Sequence, residues 1–455
     1  MTAAPTSFTP PDRDDYVFGM WQPWWRLEGR ADGGHSDEGS KQWSLTGATD
    51  ATGAHALHMD FLSVKPALPM SVVASAEIRD VNRQAWSASS TLLVHPSSLY
   101  VGLKAKRPFV EKGTPFEVEV IGVDVDGKPA AGAVIEVRTV RIDWGVKDGD
   151  VATREVDVQS CNIAAGRAGA NAGTGAGAAG TGTGATGAGA GADAVAVVTA
   201  KPKEKATWVC SFATTEGGEY RVTATIVDGK GRPSETRMTF WVSGGQQAPA
   251  REVAQEKVQL IPDKKVYTPG NTAELLVRAP FYPAEGVVTW RRSGIVKTEK
   301  IALDGPTKVI TVPISDAMTP NVIVQVDLVG AAARLDDKGA PDASLPRRPA
   351  YAVGTIDLPV PPRQRALKVS VAPSAAKLGP GEQTQLAVAV ADAQGRPVAD
   401  AEVAIIAVDE AILSLTAAQF ADPIDAFYPR RGAETDDYYA RSYVKLARPS
   451  LDQLA

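Results

Sequence analysis

Short stretches in which apolar residues alternate with small or polar ones recur along most of the chain. In residues 384–391, TQLAVAVA, every second position is Leu or Val, a period of two that is typical of a half-buried β-strand. Residues 401–408, AEVAIIAV, are apolar without interruption from Ala404, which predicts a strand covered on both faces. A Gln-Gly-Arg-Pro turn lies between the two segments at 394–397. The pair therefore predicts a hairpin that forms one half of a β-sandwich.

The same order of strand, turn and strand occurs earlier in the chain. Gly113 precedes Gly127 by fourteen positions, as Gly381 precedes Gly395, and each second glycine opens a Gly-Lys/Arg-Pro turn. A third, partial copy, VYTPGNTAELLVRAPF, begins at Val266. Turns of this kind are common in any sandwich, but the matched spacing indicates related modules in tandem. We therefore predict an all-β chain of tandem immunoglobulin- or fibronectin-like β-sandwich domains.

The patterns also suggest where the modules begin and end, because 455 residues are too many for a single core. We expect a disordered N-terminus at 1–13, sandwich modules at 14–97, 98–243, 255–361 and 365–416, a linker at 244–254, and an exposed tail at 417–455. The second module is interrupted at 164–194 by a run of almost only Gly, Ala and Thr. Such residues have little to bury and a high ordering cost, so this insertion predicts a flexible loop.

Three tryptophans near the start, Trp21, Trp24 and Trp25, have two possible roles. They could form an exposed contact for carbohydrate or protein, or they could belong to a core. We favour the core, because small sandwiches rely on large aromatic side chains.

The two cysteines, Cys161 and Cys210, both lie in predicted strands of the second module. A disulfide between them would close a loop of roughly 50 residues and stabilise the module by about 3–4 kcal/mol. The alternative is a pair of buried free thiols, which behave as small apolar groups. The sequence leaves both alternatives open, since a disulfide also needs an oxidising compartment.

Composition narrows the possible functions. Apolar residues make up 44% of the chain and charged residues 22%, as in ordinary globular proteins. The 48 basic and 53 acidic residues give a net charge of −5, and a negative net charge argues against nucleic-acid binding. No apolar run approaches the ~20 residues of a membrane-spanning helix. The first twenty residues also lack the basic and then apolar segments of a signal peptide.

The chain shows no pattern of residues that indicates catalysis or metal binding. His55 and His58 are three apart and would point to opposite faces of a strand, and no Cys/His cluster has the spacing of zinc ligands. Asp409 and Glu410 are also on opposite faces if that segment is a strand, so they cannot act as a carboxylate pair. No nucleophile elbow or phosphate-binding loop is present. We expect no catalytic residue, no metal and no cofactor, and we interpret the chain as non-enzymatic.

Several segments resemble the bacterial alpha-2-macroglobulin family. The most specific are VYTPG…APF…GVVTWRRSGI, from Val266, and VDEAILSL…DP…FY, from Val408. The resemblance covers most of the chain from about residue 70 to 445. It implies successive macroglobulin-type β-sandwiches of a large extracytoplasmic endopeptidase inhibitor, in the periplasm, on the cell surface or secreted. In that family a protease cuts a bait region, the inhibitor changes shape, and the protease is trapped.

The resemblance also implies what this chain lacks. Many members of the family carry a Cys-x-Glu-Gln thioester, but Cys161 is followed by Asn-Ile-Ala and Cys210 by Ser-Phe-Ala. We therefore expect the central part of a longer inhibitor, without its thioester domain, whose partners are target proteases and the remaining domains. No direct membrane span is expected.

The bait region would fall in the tail, which is polar and rich in protease-sensitive residues. A bait must be extended for a protease to bind it as a strand. The candidate cleavage residues are Arg430, Arg431, Arg441, Lys445, Arg448, Tyr438 and Tyr439. Any polar terminal segment of this composition would be cut in a similar way. The alternative function is a structural or adhesive surface protein of Ig-like repeats, which needs no bait.

Overall fold

The prediction of an all-β chain of several sandwich-like units is confirmed. The computed structural model describes residues 1–25, 41–57, 67–79, 84–130, 132–147, 150–164, 196–199, 201–204, 207–245, 256–336, 341–375, 379, 381–406 and 423–439. Across these ranges strands form seven sheets. Helical structure there is restricted to one short α-helix, α1 (Pro423–Phe427), and to 3-10 turns at Asp316–Met318 and Arg363–Arg365. In the same ranges, no helix has the length and apolar character needed to cross a bilayer.

The first sheet is antiparallel and includes the N-terminus. Its strands are β1 (Thr2–Pro5), β2 (Lys41–Gln42), β3 (Met70–Arg79) and β4 (Ala85–Val94), in the order β2-β1-β3-β4. β3 and β4 pair as an antiparallel hairpin, and residues 80–83 between them lie outside the described residues. The expected disorder of residues 1–13 was wrong, because β1 pairs with β3 and buries Ala3 against Met70 and Val72.

Residues 16–21 pack on the second module. The sequence analysis had assigned them to a first module at 14–97, and that assignment was wrong for these residues. Val17 and Leu103 exchange two backbone hydrogen bonds, with N···O distances of 2.8 and 3.0 Å. Phe18 is 2% exposed and packs with Tyr100. The ring lies so close to Gly102 that a Cβ there would come within 2.7 Å of it. The N-terminal segment is thus an integral part of the second module.

The second module is a sandwich of two sheets. Its strands are β5 (Leu99–Ala105), β6 (Phe109–Val110), β7 (Phe116–Asp124), β8 (Val134–Lys147), β9 (Asp150–Ala164), β10 (Ala196–Thr199), β11 (Lys201–Glu204), β12 (Thr207–Phe212), β13 (Gly218–Val227) and β14 (Pro233–Val242). One sheet has the order β10-β9-β8-β13-β14-β6 and the other β11-β12-β7-β5. In β13 buried and half-buried residues alternate strictly, so that Tyr220 and Val222 enter the core shared by the two sheets. The insertion at 164–194 lies, apart from Ala164, outside the described residues.

The structure joins Cys161 and Cys210 in a disulfide across this core. Cys161 belongs to β9 and Cys210 to β12, so the bond links the two sheets, with the Cα atoms 6.2 Å apart. Both residues are fully buried. The bond therefore connects the two layers that the apolar core holds together.

The third module is a second sandwich. Its strands are β15 (Gln259–Pro262), β16 (Thr272–Arg278), β17 (Ala284–Arg291), β18 (Ile295–Leu303), β19 (Thr307–Pro313), β20 (Asn321–Ala332), β21 (Arg334–Leu335), β22 (Pro341–Asp342) and β23 (Arg348–Pro359). The sheet β15-β16-β19 packs on the sheet β18-β17-β20-β23. Leu275, Trp290 and Val324 belong to the core between them. The opposite face of the four-stranded sheet is the surface considered in the next subsection.

An apolar joint connects the second and third modules. Trp21, Trp25 and Trp241 pack around a cluster that also contains Ile261 and Leu276 of the third module. The ring centroids of Trp25 and Trp241 are 5.7 Å apart. Trp21 and Trp25 thus act as core residues, as favoured from the sequence, but the core they join lies between two modules. Trp24 is 38% exposed, so the prediction was wrong for it.

Four tight turns share one local structure, which accounts for the Gly-Lys/Arg-Pro motif that recurs in the sequence. In each, an aspartate Oδ1 accepts backbone N–H groups two and four residues ahead, at 2.8–3.0 Å. The glycine three residues after the aspartate has φ between 74° and 82°, a region that only glycine enters without strain. These turns are Asp50–Ala54, Asp124–Lys128, Asp228–Arg232 and Asp392–Arg396.

The fourth module is less complete than expected. Strands β24 (Lys368–Pro373) and β25 (Leu386–Ala391) form an antiparallel hairpin, but both of its faces are largely open to solvent. The expected strand at 401–408 does not form in its described part, since residues 401–406 have no strand pairing. Ile405 and Ile406 are 59% and 67% exposed, so the predicted burial on both faces is wrong there. A strand is covered on both faces only inside a completed sandwich, and the described residues supply one two-stranded sheet. Asp409 and Glu410 lie outside the described residues.

The disulfide gives a direct test of how the second module is stabilised. Reduction should lower the free energy of unfolding of this module by about 3–4 kcal/mol, because the reduced chain regains the entropy of a long open loop. Urea unfolding with and without reductant, followed by tryptophan fluorescence, measures the change. The Cys161→Ala/Cys210→Ala variant is the control and should not respond to reductant. Equal unfolding midpoints for oxidised and reduced protein would contradict the expectation.

Candidate functional site

A segment beyond the fourth module returns to the third module and lies across its outer face. We call residues 428–439 the strap. It forms no strand of its own, yet it is held by hydrogen bonds along much of its length. The surface beneath it consists of the solvent-side residues of β17, β20 and β23, whose other side chains form the core.

Near its start, the strap pairs through the backbone of Arg431 with the side-chain amide of Asn321. Asn321 Nδ2 donates to the Arg431 carbonyl at 3.0 Å, and the Arg431 N–H donates to Asn321 Oδ1 at 2.8 Å. Asn321 is 1% exposed, so its amide is committed to this contact. Arg430 forms an ion pair with Asp357 of β23, and Asp357 also accepts a hydrogen bond from Asn321.

The turn between β17 and β18 contacts the middle of the strap through its backbone. Ser293 N–H donates to the Gly432 carbonyl at 2.9 Å, and Gly294 N–H donates to the Ala433 carbonyl at 2.8 Å. Ser293 and Gly294 both have positive φ, at 48° and 121°. This turn presents two successive N–H groups to the strap.

The strongest contact of the strap is a bidentate ion pair. Arg291 donates from Nη1 and Nη2 to the two carboxylate oxygens of Asp437 at 2.7 and 2.8 Å. Its Nε donates to Thr289 Oγ1 at 2.9 Å, which fixes the plane of the guanidinium. Arg291 is only 5% exposed, so it would be a buried charge without Asp437. Gln325 Nε2 also donates to Asp437, at 3.2 Å.

The strap ends on a pair of tyrosines. The Tyr439 and Tyr351 rings meet edge to face with centroids 5.0 Å apart, and both hydroxyls donate to Asp327 Oδ1, at 3.1 and 3.0 Å. Burial and the shared carboxylate raise the pKa of both phenols. These hydroxyls therefore remain protonated donors through the neutral range.

The ion pair shifts the pKa values of both Asp437 and Arg291 so that each charged form is favoured. The hydrogen bonds from Arg291 lower the pKa of the Asp437 carboxyl, and those to Asp437 raise the pKa of the Arg291 guanidinium. Both groups are thus charged at neutral pH, and their pairing stabilises the docked strap.

The described part of the chain shows no group of three or more His, Cys, Asp or Glu side chains that could hold a metal ion. Asn321, Arg291 and Asp327 of the third module each hydrogen-bond to the strap. This arrangement binds and orients a peptide segment.

Comparison with known proteins finds similarity to the alpha-2-macroglobulin family. Residues 258–415 match the family model described as the alpha-2-macroglobulin bait region domain. The chain is also similar to the alpha-2-macroglobulin homolog of Nostoc sp., with 22% identity over 374 residues that cover 81% of this chain and 17% of that protein. Residues 258–415 are thus similar to a domain of the alpha-2-macroglobulin family. This stretch includes most of the third module and the described hairpin of the fourth.

Other similarities extend over more of the chain. The circularly permutated Ras protein 2 of Dictyostelium discoideum is 23% identical over 469 residues, which cover 97% of this chain and 11% of that protein. Among solved structures, the native conformation of alpha-2-macroglobulin from E. coli has a TM-score of 0.33 and 16% identity, covering 94% of this chain and 25% of that chain. Salmonella alpha-2-macroglobulin reacted with methylamine has a TM-score of 0.31 and 17% identity, covering 95% and 25%. The chain thus spans less than a fifth of the length of either curated relative.

The candidate cleavage residues of the chain fall into two groups. Arg430, Arg431, Tyr438 and Tyr439 lie in the strap, and their side chains are exposed although the strap itself is anchored. Arg441, Lys445 and Arg448 lie outside the described residues. The expectation of an extended, unpaired tail therefore does not hold for residues 428–439.

The sequence analysis missed the surface that receives the strap. Thr289 and Arg291 on β17, and Gln325 and Asp327 on β20, alternate with core residues and therefore share one face. A polar outer face is ordinary in a β-sandwich. This face differs because several of its polar side chains, Thr289, Arg291 and Gln325, are buried. The one signal available was an arginine, Arg291, directly after a run of apolar strand residues.

Loss of the carboxylate that pairs with Arg291 should loosen the strap. Asp437→Asn keeps the shape of the side chain but leaves a buried guanidinium without its counter-charge, at a cost of about 1.5–3 kcal/mol. Trypsin should then cut after Arg430 and Arg431 roughly 10- to 100-fold faster, since cleavage follows the open population of the strap. Cleavage rates are measured by mass spectrometry of time points.

The neighbouring substitution Asp436→Asn is the matched control. It removes the same charge from an exposed side chain one position away, and cleavage should stay within about twofold of the parent, because exposed charges contribute little. Equal acceleration by both substitutions would show that the ion pair does not hold the strap.

Acid should also release the strap. Because the docked carboxyl of Asp437 has a lowered pKa, its contribution is fully present above the ordinary aspartate pKa and is lost as the pH falls through the lowered value. Hydrogen exchange of residues 428–439, corrected for intrinsic rates, should be constant from about pH 5 to 8 and rise below about pH 4. An acid response of the same size in Asp437→Asn would assign it to another group.

Proposed function

We propose that this chain is part of a broad-range endopeptidase inhibitor of the alpha-2-macroglobulin kind, which acts by bait cleavage and conformational trapping. The observation that carries the proposal is the match of residues 258–415 to the bait region domain, followed at once in sequence by a protease-sensitive segment. Proteases are its proposed partners, together with the remaining domains of a longer inhibitor. We place it in the periplasm, on the cell surface or outside the cell.

The strap suggests how a bait could be mounted on the modules. A protease needs several consecutive residues in extended form, free to enter its cleft. The backbone at Arg431 and Gly432 is hydrogen-bonded to the third module, which opposes such entry. Arg441, Lys445 and Arg448 follow the strap in the sequence, beyond its last residue, Tyr439. We propose that the strap is the fixed end of the bait and that cleavage follows it.

In this arrangement, cleavage of the bait would release a restraint on the chain that follows it. A bait fixed at one end to the third module restrains whatever follows it in the chain. A cut beyond the strap removes that restraint while the strap stays bound through Arg291 and Asp437. The proposed role is therefore that of an inhibitor component and not of an enzyme.

Limited proteolysis tests this order of cleavage. With trace trypsin, the first cuts should follow Arg441, Lys445 or Arg448, and cuts after Arg430 and Arg431 should be at least about tenfold slower, because the strap must open first. Intact-mass analysis of early time points identifies the sites. In Asp437→Asn protein the difference between the two groups should shrink.

One result would favour the other function. First cuts confined to the linker near residues 244–254, with the region after Tyr439 resistant, would contradict the bait proposal and support a structural or adhesive protein of Ig-like repeats.

A further inference from the structure

The contacts of the strap with the third module are of two kinds. At Arg431, Gly432 and Ala433 the strap is held through its backbone, which places an extended segment on the face without reading its side chains. At Asp437 and Tyr439 it is held through a carboxylate and a phenol, which other residue types cannot replace. The face therefore selects an extended peptide in which an Asp-x-Tyr sequence follows the backbone contacts.

The groups that select the strap are held in place by the third module itself. Thr289 Oγ1 accepts from Arg291 Nε at 2.9 Å. Asp327 accepts from the Tyr351 hydroxyl and from Gln325 Nε2, each at 3.0 Å. These contacts do not involve the strap, so they can persist when the strap leaves. A preformed surface binds a ligand with little cost for ordering its own side chains.

The strap reaches this face as a ligand on a long tether. Residues 360–427 separate it from β23, the last strand of the third module. The tether includes the hairpin of β24 and β25, whose faces are largely open to solvent, so this hairpin is not packed into the third module. A tether raises the effective concentration of a ligand but adds no contact to its binding site. The same face can therefore bind the same segment without the tether.

We propose that the outer face of the third module also binds the strap of a second copy of this chain, so that copies can exchange straps. The contacts are the same in the exchanged pair, because the second copy supplies an identical segment. The charges are complementary as well, with Arg291 opposite Asp437 and Asp357 opposite Arg430. The tether favours each copy's own strap, so exchange is visible when that strap is weakened. The proposal concerns recognition by one module and does not depend on the proposed inhibitor function.

Two variants of the full chain with opposite defects test the exchange. In the face variant, Arg291→Met, the strap is intact, and the methionine leaves no buried charge on the face. In the strap variant, Asp437→Asn/Tyr439→Phe, the face is intact. Sedimentation velocity should detect a complex in an equimolar mixture that neither variant forms alone, because only the mixture combines an intact face with an intact strap that is not engaged. A variant with all three substitutions, mixed with the strap variant, is the control and should form no such complex.

A synthetic peptide measures the same recognition on an unaltered face. A fluorescent peptide of residues 428–439 should bind the strap variant saturably in fluorescence anisotropy. The parent chain should bind it at least about tenfold more weakly, because its own strap competes at a high effective concentration. A peptide with Asp437→Asn should also bind the strap variant at least about tenfold more weakly. A peptide with Asp436→Asn is the matched control and should bind within about twofold, because this aspartate is exposed.

The proposal is overturned if the mixture sediments as the sum of its two components, or if the peptide does not bind the strap variant saturably. Equal binding of the peptide to the parent and to the strap variant would also overturn it, since the peptide would then lie elsewhere than on the face that the strap covers. Equal weakening by Asp436→Asn and Asp437→Asn would do the same, because binding would then follow net charge.

Discussion

The buried guanidinium of Arg291 is the constraint around which the outer face of the third module is arranged. A charge that is 95% covered must have a counter-charge and hydrogen-bond acceptors close by. The sheet itself provides Thr289, and the carboxylate comes from Asp437, 146 residues further along the chain. Once that pair forms, the intervening contacts at Asn321, Ser293 and Gly294 lie within reach of the strap. The sheet and the strap thus form a single polar layer.

The sheet β18-β17-β20-β23 of the third module therefore binds a different partner on each of its two faces. Its inner face packs against a second sheet through apolar side chains, an association that depends on area and tolerates small changes. Its outer face binds the strap through directional contacts, each of which depends on a particular donor or acceptor. Cores of the first kind are needed for the fold, whereas a segment held in the second way can be released without unfolding the module.

Sequence reasoning succeeded where the structure follows from local periodicity. The alternating strands of the second and third modules, the Gly-Lys/Arg-Pro turns and the all-β class were all available from spacing, because strand period and turn glycines are local properties. The prediction failed for residues 1–13, for the segment at 401–406 and for residues 428–439, whose environment depends on distant partners. Polar strings such as RRGAETDD have no apolar pattern to reveal a docking surface, and Asp437 is distinguished from Asp436 only by what lies opposite it.

The pairing of β10 with β9 has a consequence for the length of the Gly/Ala/Thr-rich insertion. β10 follows the insertion in parallel register with β9, so that Val198 lies beside Cys161 and the strands on both sides of the insertion belong to one sheet. For a loop of the flexible kind that this composition predicts, doubling the number of residues costs only about 0.6 kcal/mol of loop-closure free energy. The tract can therefore change in length at little cost to the stability of the module.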